Sequence, residues 1–159
     1  MSSAGSRVWA ALLVVSCANI QGPVTFYETQ ERVYRAAWDD VWGAVLETLT
    51  DLDVPIDYIE PASGFVRSDY ASFPPNESFV ELFDCGSYYG KPIAGRSDFD
   101  PRVRLTVLLR AANDGSTKVR VRVLVTGTVQ NDVAVQCVST GNLEDDFYRQ
   151  LGSRVHNPA

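Results

Sequence analysis

Residues 102–129, RVRLTVLLRAANDGSTKVRVRVLVTGTV, decide the fold. Val103, Leu105, Val107 and Leu109 alternate with Arg102, Arg104, Thr106 and Leu108. After Asn113-Asp114-Gly115-Ser116 the chain resumes with Val119, Val121, Val123 and Val125 between Lys118, Arg120, Arg122 and Leu124. A period of two sends successive side chains to opposite faces of a strand, and an Asn-Asp-Gly-Ser break between two such runs is turn chemistry. The pattern predicts a long antiparallel hairpin over 102–111 and 117–129, with one face buried and the other largely polar. On the polar side stand Arg102, Arg104, Arg110, Lys118, Arg120 and Arg122, and the 102–122 stretch holds a single acid, Asp114, although the chain's net charge is -6. This strip is the candidate binding face, suited to anionic headgroups or an acidic partner. A solvated sheet face whose charges discourage edge pairing accounts for the same residues.

A sheet with one apolar face needs a cover, and two segments can supply it. Trp38, Val41, Trp42, Val45, Leu46, Leu49 and Leu52 follow the spacing of one helical face, with Asp39 and Asp40 in the first turn and Pro55 beyond the end. A second helix is expected from Asn142, with Leu143, Phe147, Leu151 and Val155 on one side, Asn142 as its cap, and Arg149 and Arg154 near its negative end. Further strands are expected near 32–35, at Ile56–Glu60 and 64–70 joined by Pro61-Ala62-Ser63-Gly64, at 79–85 and at 133–138. Residues 86–100 read as a long loop. The 159 residues, 45% apolar and 21% charged, suit one globular core. The expected fold is α+β: a twisted antiparallel sheet with two helices packed on one face.

The N-terminus has a different character. Arg7 precedes Val8-Trp9-Ala10-Ala11-Leu12-Leu13-Val14-Val15, too short to cross a bilayer but long enough for the core of a signal peptide, with a buried N-terminal helix as the alternative reading. The run ends in Leu13-Val14-Val15-Ser16-Cys17, which resembles the lipobox of bacterial lipoprotein precursors. The resemblance implies cleavage before Cys17 and a diacylglyceryl group on its thiol, often with a further acyl chain such as palmitate on the new amine. Several long chains, at about 0.8 kcal/mol per buried CH₂, hold a protein on a membrane where one would let it exchange. Ala18 stands where an Asp would favour inner-membrane retention, so the resemblance implies the outer membrane, facing the periplasm. The expected organisation is a signal peptide over 1–16, a lipid-attached tether over 17–24, rich in small, polar and breaker residues, and a single domain over 25–159.

With Cys17 given to lipid, Cys85 and Cys137 remain, a pair in a compartment where disulfides persist. They are the candidate disulfide; two buried unpaired thiols are the alternative.

Catalytic chemistry is hard to find. The sole histidine, His156, lies in the final run Arg154-Val155-His156-Asn157-Pro158-Ala159, a poor place for a general base. Cys85-Gly86-Ser87 faintly echoes the nucleophile segment of papain-like proteases, without the second cysteine. No G-x-S-x-G, H-E-x-x-H, Walker or G-x-G-x-x-G pattern occurs. Asp84, Asp98 and Asp100 could gather around calcium, but without an EF-hand pattern a solvated acidic loop is the favoured reading. No enzyme activity, metal or cofactor is expected. Twenty acids against 14 Lys and Arg disfavour nucleic acid.

Three segments, Tyr34-Arg35-Ala36-Ala37-Trp38-Asp39-Asp40-Val41-Trp42, Gly64-Phe65-Val66 and Cys137-Val138-Ser139-Thr140-Gly141-Asn142-Leu143-Glu144, make the mature chain resemble the BamC-like lipoproteins of outer-membrane β-barrel assembly. That resemblance implies a scaffold or accessory subunit bound to another envelope protein and held to the membrane by its lipid. It departs in having one such domain and a candidate internal disulfide. The rival function is a carrier gripping an apolar ligand or lipid between helix and sheet, with Trp38, Trp42, Phe65 and Tyr88 lining the pocket.

Overall fold

The computed structural model describes residues 20–72, 77–130 and 132–156. Its elements run β1 (Ile20–Gln21), β2 (Glu31–Tyr34), α1 (Trp38–Asp51), β3 (Ile56–Glu60), β4 (Phe65–Ser68), β5 (Ala71–Ser72), α2 (Glu77–Leu82), β6 (Phe83–Asp84), β7 (Ser87–Tyr88), β8 (Lys91–Pro92), β9 (Asp100–Ala111), β10 (Thr117–Val129), β11 (Val133–Ser139) and α3 (Asn142–His156). The expected signal peptide, 1–16, and Cys17 lie outside the described residues, as does the side chain of His156.

The predicted hairpin is the axis of an α+β fold. β9 and β10 pair from Thr117↔Ala111 to Thr128↔Asp100. Around them the eight-stranded sheet runs β3-β4-β9-β10-β11-β6, with β2 added on β10 and β5 on β9. β2 takes Thr117 to Arg120 and β11 takes Val125 to Val129 along the same edge of β10, so residues 121–124 have no strand partner on that side. A separate ribbon, β1-β7-β8, stands apart from this sheet.

The alternation sorts the faces. Val103, Leu105, Val107, Leu109, Val119, Val121 and Val125 are buried, each contributing about 1.5–3 kcal/mol of hydrophobic stabilisation. α1 packs over β9 and α3 over β10, and the two helices touch. They present Val41, Val45 and Leu49 from one and Phe147, Tyr148 and Leu151 from the other to the core. Arg154 of α3 ties to Asp51 and Glu47 of α1 across the helix pair.

Three local expectations are corrected. Residues 79–85 do not form a strand: 77–82 are helical and only Phe83 and Asp84 extend. Phe79 and Phe83 are four apart with ring centroids 4.6 Å from each other, both buried. Their period is that of a helix, which alternation-based reading of a short run misses. The described residues therefore hold three α-helices where two were expected. Asn142 is not a cap either: it stands inside α3, and its Nδ2 donates to Glu81 O at 2.9 Å. The long loop over 86–100 is also partly ordered into β7 and β8.

Candidate functional site

The six cations project from the outer face of the hairpin, interleaved with the buried row. In register, Lys118 faces Arg110, Arg122 faces Thr106, Leu124 faces Arg104 and Thr126 faces Arg102. β2 brings Glu31 opposite Arg120, and that one carboxylate meets both Arg120 at 3.4 Å and Lys118 at 3.7 Å. Arg102 reaches Asp100 at 3.5 Å. The Arg104 guanidinium carbon lies over the Tyr70 ring, 3.8 Å from its centroid, and its Nε has no hydrogen-bond partner among the described residues. No carboxylate among the described residues pairs with Arg110 or Arg122. Long pairs of this kind contribute little stability, and the single Glu31 carboxylate cannot balance the charge of both Lys118 and Arg120.

Sequence reading missed two contributions to this face. Arg67 joins it through the pairing with Thr106, and Phe65 joins it beside Leu108. Tyr58 meets Phe65 edge-on at 6.0 Å, and the Arg67 guanidinium lies 5.6 Å over the Tyr58 ring. The outer face is thus cationic along its middle and aromatic at its β3–β4 side, a composition enriched in protein interfaces. Alternation alone could have assigned Phe65 and Arg67 to one side of β4; only the strand order shows that this side continues the basic strip.

At another end of the domain, the chain is held by single groups. Cys85 and Cys137 form a disulfide, 52 residues apart. Beside it, Asp84 accepts hydrogen bonds from the backbone N–H groups of Val24 at 2.9 Å, Thr25 at 2.8 Å and Gly86 at 2.8 Å. Burial pushes the Asp84 carboxyl up, but the N–H groups of Gly86, Thr25 and Val24 outweigh it and hold the group below its ordinary value. Ile20 and Gln21 pair with Tyr88 and Ser87. Gly86, at φ +74°, lies so close to Gln21 that a Cβ there would overlap its carbonyl oxygen. The described part of the expected tether, residues 20–24, is therefore docked on the domain. Between this segment, α2 and the 85–94 loop is an open cleft of about 400 Å³, lined by Val24, Val80, Phe83, Asp84, Gly90 and Thr140 among others.

The unpaired stretch of β10 opens a window in the sheet, and buried polar groups fill it. Tyr148 Oη accepts the Val121 N–H at 2.9 Å and donates to Gln30 O at 2.7 Å. Nearby, Ser139 Oγ donates to Glu144 at 2.6 Å and accepts the Gly141 N–H at 3.1 Å. This is a relayed helix cap: Glu144, three residues inside the turn that Gly141 opens, reaches the Gly141 N–H through a serine hydroxyl. Glu144 is 2% exposed, and burial raises its carboxyl above the usual range, with the Ser139 hydroxyl pulling partly back. Tyr27, Thr29 and Arg122 close a pocket of about 170 Å³ around these groups. The Ser–Glu contact has the look of a catalytic pair, yet both members are spent on the helix start.

The residues weighed for a calcium site or an apolar-ligand pocket do not come together. Asp84, Asp98 and Asp100 go to separate tasks: backbone N–H groups, Arg96 at 2.7 Å and Arg102. No group of three potential metal ligands occurs among the described residues. The four aromatics proposed for a ligand pocket stand in three places. Trp38 and Trp42 stack on each other at 4.9 Å along α1, Phe65 is on the outer sheet face, and Tyr88 packs on Tyr89 at 4.5 Å. No helix among the described residues is long and apolar enough to cross a membrane. No protein-family model matches the chain, and no curated protein matches it.

Proposed function

We propose that this chain is a lipid-anchored protein of the bacterial envelope, cut before Cys17, held at the outer membrane facing the periplasm. There it serves without catalysis as a scaffold or accessory subunit for another envelope protein. The observation that carries the scaffold reading is the outer sheet face, where Arg110 and Arg122 have no carboxylate partner among the described residues and Lys118 and Arg120 share Glu31. An incompletely neutralised, aromatic-flanked surface on an acidic protein favours an acidic partner. Export is supported by the Cys85–Cys137 bond, since such bonds persist outside the reducing cytosol. The segments that resemble BamC-like lipoproteins fall at the start of α1, the β3–β4 turn and the passage from β11 into α3, the joints of the helix-on-sheet arrangement.

The test is crosslinking in whole cells with the wild type and with Arg120→Glu/Arg122→Glu. The double variant is expected to fold and to lose most of its crosslinked partner, and the wild-type contact to weaken as salt is raised after extraction. Equal recovery of the same partner by both proteins would overturn the assignment of this face.

A further inference from the structure

We propose that the end of the domain built from residues 20–26, Val80 and the β7–β8 hairpin lies directly on the lipid surface, so that the protein stands on its membrane in a fixed orientation. This rests on the anchoring of Cys17 proposed above.

Covalent geometry sets the first constraint. Three peptide units separate Cys17 from Ile20, a reach of about 11 Å at most. From Ile20 onward the chain is fastened, by pairing with Ser87 and Tyr88 and by the Asp84 carboxylate at Val24 and Thr25. An acylated Cys17 would therefore hold the β7–β8 hairpin close to the headgroups, with little slack between them.

Surface chemistry sets the second. Val24 is 94% exposed and Phe26 88% exposed, two residues apart in a segment where exposed and half-buried residues alternate. Tyr89, at the turn between β7 and β8, is 64% exposed, and Ile20 and Val80 are also among the exposed apolar side chains. Val24 and Val80 line one cleft together with Gly90, which places these three residues around a common rim, with Phe26 two residues along the chain from Val24 and Tyr89 next to Gly90. Nearly bare Val and Phe side chains gain free energy when removed from water. Tyrosine at a turn beside the exposed Lys91 is suited to the headgroup layer, where an amphipathic ring and an ammonium both find partners. By contrast, the β9–β10 turn lies eight residues of strand, about 26 Å, beyond the part of β10 that faces Cys137. The basic outer face would then run away from the membrane and be open to a partner along its length.

The experiment uses the mature protein extracted from membranes, placed in nanodiscs that contain a small fraction of lipid with a gadolinium-chelated headgroup. Backbone amide signals are compared with those in gadolinium-free discs. Amides of residues 20–22, 24–26, 80 and 88–91 are expected to lose most of their intensity, while those of 113–116 keep most of theirs. Uniform broadening, or stronger broadening at 113–116, in a protein whose mass shows acylation would overturn the orientation and leave the anchor standing. A mature mass without acyl groups would overturn the anchor, and the orientation with it.

Discussion

Between Thr117↔Ala111 and Thr128↔Asp100 the β9–β10 ladder runs unbroken for twelve residue pairs, whereas the end formed by residues 20–25 and 83–93 nowhere keeps two strands in register for more than two. The ladder spreads its stability over many equivalent hydrogen bonds and a continuous buried row, so no single outer residue matters much. The other end depends on one disulfide, one carboxylate and glycines at positive φ. Such a region is fixed in shape but can be released by removing one group. That suits a place that must hold the N-terminal segment, while the regular face suits the presentation of charge.

The largest effect should come from opening the disulfide. Cys85→Ala/Cys137→Ala closes no loop in the unfolded chain and is expected to cost up to about 4 kcal/mol in urea unfolding. Hydrogen exchange should rise first at residues 20–25 and 84–93 and last at 103–125. Equal acceleration in both regions would break the contrast. Gly141→Ala comes next: at φ +94° the new methyl would overlap the Tyr27 ring, a loss of roughly 2–3 kcal/mol that a thermal melt would read. Asp84→Ala leaves three backbone N–H groups without their acceptor, at roughly 2 kcal/mol. Exchange should speed at Val24, Thr25 and Gly86 while the ladder amides keep their protection. Arg120→Glu/Arg122→Glu should be the mildest, less than about 1 kcal/mol despite the new repulsion at Glu31.

Two carboxyls give the comparison a pH dependence of opposite sign. Asp84 is held below its unfolded value, so its contribution is fully present above that value and is lost as pH falls through the still lower folded one. Glu144 is raised, so its contribution is present below its unfolded value and lost as pH rises through the folded one. Asp84→Asn should flatten the acid side of a melting-temperature profile, and Glu144→Gln the limb above the ordinary glutamate range. An unchanged profile in both variants would contradict these assignments.

Much of the fold was legible because the hairpin and two helices are long enough for their periods to separate. Val103 to Leu109 alternate over several turns of the pleat, and Val41, Val45 and Leu49 recur at helical spacing. α2 was not legible, since Phe79 and Phe83 are one repeat of a helix and fit a short strand equally well. The strip of cations was visible in the alternation, but not Glu31 or Arg67, which reach it through pairings between segments distant in sequence. The docking of residues 20–25 was hidden for a related reason. Pro, Gly and small polar residues look like a linker unless the acceptor, Asp84, is known to stand sixty residues away.

The most direct test of the whole account is the intact mass of the protein recovered from the membrane fraction of cells that make the full chain. A mature chain beginning at Cys17, heavier than its residues by two or three acyl chains and lost from membranes in Cys17→Ser, is the expected result. A chain retaining residues 1–16, or one beginning elsewhere with no added mass and fractionating alike in wild type and Cys17→Ser, would contradict it.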